Sequence, residues 1–218
     1  ERPEYAAALF DRPEPTFREK EYPAYKAQRP PAPESLVTQI IAARDLFRAF
    51  GVRTFELPGF EADDLIATFA RRFGDDEGVR VLILTGDLDT LQLVDEKTKV
   101  WTMRKGVSDT VLYDESAVRL RFGIPPASLR DYKGLRGDPS DNIPGVRGIG
   151  EKTAGDLIRR FGSLEALYAR LKAADDVSPS LKGKLIEGKE DAFFSRDLAT
   201  IRRDVPLAVY LSSFAVAA

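Results

Sequence analysis

The spacing of hydrophobic residues changes near the middle of the chain. In the first half, short apolar runs alternate with segments whose apolar residues recur at helical spacing. Strands are predicted at 5–10, 52–57, 79–84, 100–103 and 110–113, and amphipathic helices at 33–50 and 61–73. From residue 115 onward helical spacing dominates, with helices predicted at 115–122, 127–135, 151–161, 164–171, 181–187 and 191–201. We therefore expect an α/β core at 1–113, a sheet with flanking helices, and a helical subdomain at 114–218.

Two segments of the first half add detail to this picture. The run Val79–Leu84 is apolar apart from Arg80, which predicts a strand buried on both faces of a parallel sheet. The segment 12–33 has no clean period and is rich in proline, basic and aromatic residues. It therefore predicts a mobile loop or arch between the first strand and the first long helix.

Carboxylates cluster at the ends of the predicted elements. Because ligands bind outside the carboxyl ends of strands in open α/β sheets, acids that follow different strands are expected at one edge. Crowded carboxylates repel each other, so two divalent cations are expected among them. Each cluster taken alone also fits a helix cap or a turn. The candidate metal ligands are Asp11, Glu61, Asp63, Asp64, Asp87, Asp89, Asp138 and Asp141.

Composition restricts the chemistry of such a site. The 218 residues include no cysteine and no histidine, which excludes disulfides, thiolate nucleophiles, zinc–thiolate sites and imidazole catalysis. An oxygen-only ligand set favours Mg²⁺ or Mn²⁺ over Zn²⁺ or Cu²⁺. No apolar run is long enough to span a bilayer and no signal peptide opens the chain, so we expect a cytoplasmic protein with no membrane partner.

Two basic segments are candidate nucleic-acid contacts, although the net charge is only −2. The segment Phe17–Arg29 offers cations for phosphates and tyrosines for base stacking. The glycines of Gly145–Thr153 allow backbone N–H groups to approach a phosphate at a helix start. A solvated loop and a simple helix entry are the structural alternatives. The candidate contacts are Arg18, Tyr25, Lys26, Arg29, Gly145, Arg147, Gly148, Gly150, Lys152 and Thr153.

Five motifs, in order along nearly the whole chain, resemble those of the 5′-nuclease or flap endonuclease family. The resemblance extends in particular to the 5′-3′ exonuclease domain of bacterial DNA polymerase I. The motifs are FD at Phe10–Asp11, YKAQR at Tyr25–Arg29, PGFEADD at Pro58–Asp64, TGDLD at Thr85–Asp89 and GDPSDNIPGVRGIGEKTA at Gly137–Ala154. The last motif is highly specific, and the ordered set is more so.

The resemblance implies a PIN-like sheet with helices, an arch over the active site and a helix–three-turn–helix element. It implies two-metal hydrolysis of DNA, or of an RNA primer, near a 5′ end at single-strand/duplex junctions, as used in replication and repair. Lys26 or Arg29 would stabilise charge on the scissile phosphate, and Tyr25 would stack on a base. The turn Gly145–Thr153 would hold duplex phosphates with the help of a monovalent cation such as K⁺.

The sequence departs from the family at its start. The family begins with an apolar strand that carries an aspartate, and this strand is absent from the sequence. The chain begins with Glu1 rather than Met, so we expect that an N-terminal piece has been removed. The parent protein is expected to be either a stand-alone nuclease or a longer protein with a covalently linked polymerase module.

Two alternatives to a 5′ nuclease remain. One is a small metal-dependent ribonuclease, although such domains usually lack the glycine turn. The other is a DNA-junction binding module without catalysis, because the first strand and its aspartate are absent.

Overall fold

Strands and helices alternate in the first half of the computed structural model, which describes residues 3–76, 78–105 and 109–216. The strands are β1 (Ala7–Leu9), β2 (Arg53–Phe55), β3 (Val81–Leu84), β4 (Thr98–Lys105) and β5 (Asp109–Tyr113). The helices among them are α1 (Phe17–Glu21), α2 (Glu34–Ala49) and α3 (Ala62–Gly74). Helices alone follow: α4 (Glu115–Phe122), α5 (Leu129–Arg136), α6 (Glu151–Phe161), α7 (Leu164–Arg170), α8 (Pro179–Glu187) and α9 (Lys189–Ala199). The predicted fold class, an α/β part with a helical part, is confirmed.

Local signals explain why several helices begin and end where predicted. The Asp114 side chain accepts a hydrogen bond from Ala117 N at the start of α4. Gly123 ends that helix with φ 71°, a left-handed conformation that favours glycine. In the described parts of the chain, no helix has both the length and the hydrophobicity needed to cross a membrane.

The described strands form two sheets, where one was expected. β1 pairs with β2 in parallel, with Ala7 opposite Arg53. β3 pairs in parallel with β4, which pairs antiparallel with β5. Within each sheet, parallel pairing brings the carboxyl ends of the paired strands to one edge, and Asp11 and Asp87 follow β1 and β3.

The prediction that β3 is buried on both faces is wrong. Ile83 is buried, whereas Leu82 and Leu84 are 52% and 63% exposed. The side chains of these two leucines are therefore largely open to solvent. The apolar stripe of α2 is similarly exposed, and no residue of that helix is buried.

The segment 12–33 is more ordered than its sequence predicts. It contains α1, where Thr16 N donates to Glu19 Oε2 over 2.6 Å. Beyond α1, Lys26 N donates to Asp141 O over 3.0 Å, and Gln28 Nε2 donates to Pro139 O over 3.0 Å. The segment therefore rests on residues 139–141 of the connection between α5 and α6.

That connection, residues 137–150, is shaped by close backbone approach. Asp138 and Ile143 exchange backbone hydrogen bonds of 2.9 Å. A Cβ added to Gly145, whose φ is 63°, would lie 2.2 Å from Gly137 N. Only glycine fits at 145, because any side chain there would collide with the backbone.

One hydrophobic core joins the strands to the helices of the second half. Its buried members come from both sides of residue 114 and include Leu91, Val100, Leu135, Leu157, Leu164 and Leu185. A smaller cluster packs Phe69 and Phe73 of α3 against Phe214 near the end of the described chain. The shared core fixes the position of α5 and α6 relative to the strand ends.

Candidate active site

Five carboxylates lie close together near the carboxyl ends of β1 and β3. Asp11 Oδ1 accepts a hydrogen bond from Ala62 N over 2.7 Å, which places the end of β1 beside the first turn of α3. Asp87 Oδ1 accepts from Asp89 N over 2.8 Å and so caps the 3₁₀ segment Leu88–Leu93. Burial, with the nearby charges of Asp87, Asp89, Glu61 and Asp11, raises the pKa of Asp63 to about 8. The structure therefore brings these predicted acids together in a like-charged group.

Lys133 connects this group to the next acids along the chain. Its Nζ donates to a carboxylate oxygen of Asp89 and, over 2.6 Å, to Asp138 Oδ2. Burial lowers the pKa of Lys133, but the two carboxylates outweigh it and leave that pKa raised. Asp138 also accepts from Ser140 N and Oγ, over 2.9 and 2.6 Å. The ammonium group of Lys133 thus lies between two predicted metal ligands.

A second group forms where the segment 25–29 meets α3 and the connection 137–150. Lys26 Nζ donates to Glu61 Oε1 and lies 3.9 Å from Asp141 Oδ2. Arg29 Nη2 donates to Asp141 Oδ1 over 2.6 Å. Lys26 has φ 54°, a strained backbone conformation for a residue with a side chain, and such strain concentrates at functional sites.

Asp64 differs from the other predicted ligands because protein donors occupy all of its acceptor sites. Arg18 donates to both carboxylate oxygens, over 2.7 and 2.8 Å. Glu61 N and Arg202 N donate over 3.2 and 2.8 Å. The side chain is fully buried. A carboxylate offers about four lone-pair sites, so none of those on Asp64 is left for a metal ion in this conformation.

Arg18 and Tyr25 do not lie where their predicted roles require. All five guanidinium N–H groups of Arg18 donate within the protein, to Glu61, Asp64 and the carbonyls of Leu198 and Thr200. Arg18 is 3% exposed, so no donor remains for a phosphate. Tyr25 is 4% exposed, and its hydroxyl lies 3.1 Å from oxygens of Glu61 and Asp141. Its ring is therefore covered in this conformation and has no free face for a base.

The glycine turn divides into a buried part and an exposed part. Gly145 is buried, and its N–H donates to Ser195 Oγ over 2.9 Å rather than facing solvent in this conformation. Gly148 and Gly150 are exposed, and Gly150 is the N-cap of α6. Arg147 and Lys152 are exposed and Thr153 is half-buried beside them. Backbone N–H groups at this helix start face solvent and suit an anion.

Sequence reasoning missed Lys133. The available signal was the position of Lys133 in the last turn of α5, five residues before Asp138. A lysine near an acid has a partner for an ion pair, and a lysine is rarely buried without one. The buried contacts of Asp64 could not be predicted either, because its partners at 18 and 202 are distant in sequence.

The donor set fits hard divalent cations. It consists of carboxylate oxygens without histidine or cysteine, and the raised pKa of Asp63 shows repulsion that a cation would relieve. In the described parts of the chain, no three acids already surround a common point as ligands of one ion. Lys26 and Lys133 provide the positive charge between the carboxylates instead.

Comparisons with family models cover the whole chain. Residues 1–123 match the model described as the 5′-3′ exonuclease, N-terminal resolvase-like domain. Residues 124–218 match the 5′-3′ exonuclease, C-terminal SAM fold.

Curated relatives and solved structures agree with these matches. DNA polymerase I of Caldicellulosiruptor bescii is 42% identical over 97% of this chain and 25% of its own length. DNA polymerase I of Bacillus subtilis is 41% identical over 97% of this chain and 24% of its own length. The chain thus spans about a quarter of the length of these relatives. A structure of T5 5′-exonuclease with bound zinc ions is 25% identical, with a TM-score of 0.72 over 88% of this chain and 72% of that one. The catalytic core of Rad2 with a DNA substrate shares the fold, at 18% identity and a TM-score of 0.55 over 93% of this chain and 69% of that one.

Proposed function

The chain belongs to the 5′-3′ exonuclease family, and from that premise we propose that it forms the active site of a structure-specific 5′ nuclease. The reaction is hydrolysis of a phosphodiester bond near a 5′ end at a single-strand/duplex junction. The observation that carries the proposal is the convergence of Asp11, Asp63, Asp87 and Asp89 on one like-charged group. Burial, together with the surrounding carboxylates, raises the pKa of Asp63 to about 8, and bound cations would stabilise its charged form.

We propose that two Mg²⁺ or Mn²⁺ ions bind at this site, where they would activate a water molecule and stabilise the leaving oxygen. The residues proposed to hold them are Asp11, Glu61, Asp63, Asp87, Asp89, Asp138 and Asp141. Asp64 is proposed to support this set through its ion pair with Arg18, which also donates to Glu61 Oε2 over 2.8 Å.

Lys26 is proposed to act on the scissile phosphate. Burial lowers its pKa, but Glu61 and Asp141 outweigh burial and leave the pKa raised, which keeps the ammonium group charged near neutral pH. Its partly exposed position between two proposed metal ligands suits charge developing in the transition state. Arg29, half-exposed and held by Asp141, is proposed to assist it.

The exposed part of the glycine turn is proposed to hold duplex phosphates, with K⁺ at the turn. Arg147, Gly148, Gly150, Lys152 and Thr153 lie there on or beside the start of α6. The proposed substrates are branched or 5′-ended DNA and RNA primers. Since the relatives are DNA polymerases about four times as long as the matched part, a linked polymerase module is proposed for the parent protein.

Junction binding without cleavage is the second candidate. It is favoured by the ammonium group of Lys133, which pairs with both Asp89 and Asp138. Single-turnover reactions with a 5′-flapped duplex, a blunt duplex and a single strand, each in Mg²⁺ and in EDTA, separate the two functions. A nuclease cleaves the flap near the junction faster than the other substrates and only in Mg²⁺. Equal binding of the flap with no cleavage in either buffer would favour the second candidate.

A further inference from the structure

The hydrogen-bonded ladder of β1 and β2 ends just before the first of the proposed metal ligands. In the described chain, the last backbone bond of the pair runs from Phe10 N to Phe55 O over 2.8 Å. Asp11 lies one residue beyond it. Its side chain is held by the start of α3, since Ala62 N donates to Asp11 Oδ1 over 2.7 Å. The backbone at Asp11 is therefore positioned by contacts outside the sheet.

Arg44, in the second half of α2, supplies a contact to this backbone. Its Nη2 donates to Asp11 O over 3.0 Å. In the parts of the chain that the structure describes, no other donor lies within hydrogen-bond distance of this carbonyl oxygen. The same Nη2 lies 2.8 Å from Oε2 of Glu56, the residue after β2. One guanidinium nitrogen thus joins the segments that follow the two strands.

The Arg44 side chain packs more closely than a surface arginine of the same helix. It is 21% exposed, whereas that of Arg48, one turn later, is 60% exposed. The Arg44 guanidinium lies 5.0 Å from the ring centroid of Phe10, against which Phe47 of α2 also packs edge to face. Arg44 Nε is buried and has no hydrogen-bond partner among the described residues. Because an unpaired buried donor is costly, packing alone would favour an apolar side chain here, and the contacts of Nη2 are what an arginine adds.

The contact between Arg44 and Asp11 affects the direction of a proposed ligand. A peptide unit is planar, so fixing the carbonyl oxygen orients the whole unit that follows Asp11. With Oδ1 held by Ala62 N, both the main chain and the side chain of Asp11 are then restrained. Asp11 is also among the charges that raise the pKa of Asp63, so its carboxylate belongs to the like-charged group. Partners that orient a metal ligand typically change metal affinity or activity about 10–100-fold.

From this geometry we propose that Arg44 is a positioning residue for divalent-cation binding. Through the carbonyl oxygen of Asp11, it holds the Asp11 carboxylate in the orientation that suits a metal ion. Arg44 acts through Asp11 and not on the substrate. The inference rests on the proposed function, because it takes Asp11 as a metal ligand.

The test measures Mn²⁺ binding to the substrate-free protein by electron paramagnetic resonance and, separately, the Mg²⁺ dependence of single-turnover flap cleavage. Arg44→Met keeps an unbranched side chain and removes the donor. We expect the Kd for Mn²⁺ and the half-saturating Mg²⁺ concentration to rise about tenfold, while the rate at saturating Mg²⁺ stays within about threefold. Arg48→Met is the matched control on the same helix. It should leave both values within about twofold, because Arg48 pairs with Asp45 at the surface.

Two further variants separate positioning from packing. Arg44→Lys should bring the Kd for Mn²⁺ back to within about threefold of the parent protein, because both polar contacts come from one nitrogen and an ammonium group can supply them. Arg12→Met removes the other arginine that holds Glu56, whose Oε1 accepts from Arg12 Nη1 over 3.0 Å, and leaves the contact to Asp11 O in place. It should not change Mn²⁺ binding. Equal losses for Arg12→Met and Arg44→Met would assign the effect to Glu56 and overturn the inference.

Arg44→Gln keeps the inference testable if circular dichroism shows that Arg44→Met does not fold. The new amide would end near the position of Arg44 Nε, too short to reach Asp11 O, so we expect the same rise in the Kd for Mn²⁺. An unchanged Kd in whichever of these two variants folds would overturn the inference alone. A parent protein that binds no Mn²⁺, or that cleaves the flap equally well in EDTA, would instead reject the proposed function and the inference with it.

Discussion

Removal of the Arg18 guanidinium should strongly destabilise the fold. In Arg18→Met, the fully buried Asp64 carboxylate keeps two backbone donors but loses its ion pair and two charge-assisted hydrogen bonds. The carbonyls of Leu198 and Thr200 lose their Arg18 donors as well. Breaking a buried ion pair by removing one partner costs about 3–5 kcal/mol, a large share of a typical stability of about 5–15 kcal/mol.

Urea unfolding followed by circular dichroism measures this loss. A decrease of about 3–5 kcal/mol should lower the midpoint by at least about 1 M, given slopes of about 1–3 kcal/mol/M. Arg12→Met is the matched control, because Arg12 pairs with Glu14 and Glu56 at the surface and should cost less than about 1 kcal/mol. The double variant Arg18→Met/Asp64→Leu should lose less than the sum of its single changes, since no charge is left buried. A loss for Arg18→Met as small as that for Arg12→Met would refute the reasoning.

Three further predictions concern the carboxylates and the two lysines. In EDTA, the pKa of Asp63 is about 8 in the folded protein, so its contribution to stability falls as pH rises from about 4 to 8. Asp63→Asn should flatten this pH dependence of stability and raise Tm at pH 8. An unchanged pH profile would contradict the presence of a like-charged group around Asp63. Asp87→Asn and Asp89→Asn should each abolish cleavage of a 5′-flapped duplex while Kd stays within about tenfold, because phosphate contacts supply most of the affinity. A loss of binding as large as the loss of cleavage would oppose this division between metal ligands and phosphate contacts. Lys26→Ala should mainly slow the single-turnover rate and Lys152→Ala should mainly weaken binding, with a salt slope lower by about one; identical profiles for the two variants would argue against separate roles.

Local sequence signals predicted the second half of the chain well. The bounds predicted for α4 and α6, 115–122 and 151–161, agree with the structure. α6 has a clear apolar face, and both helices end at a glycine with positive φ, Gly123 and Gly162. Such signals lie within a few residues of the helix they define, so they can be read without knowledge of the fold.

Interactions between distant segments could not be predicted in the same way. Arg18 has the sequence context of a solvated loop, and only its partners at 64, 198 and 200 explain its burial. Leu82 and Leu84 are apolar, but whether they are covered depends on what packs on their face of the sheet. The roles of the remaining site residues, and the division at 113/114, stay predictions that the proposed variants address.

The central claim is that the carboxylate group supports cleavage only with divalent cations. The most direct measurement is the single-turnover cleavage rate of a 5′-flapped duplex across a Mg²⁺ titration that starts from excess EDTA. We expect no cleavage in EDTA, a rate that rises with Mg²⁺ or Mn²⁺, and no effect of thiol reagents, because the chain has no cysteine. Full cleavage in excess EDTA would contradict the account.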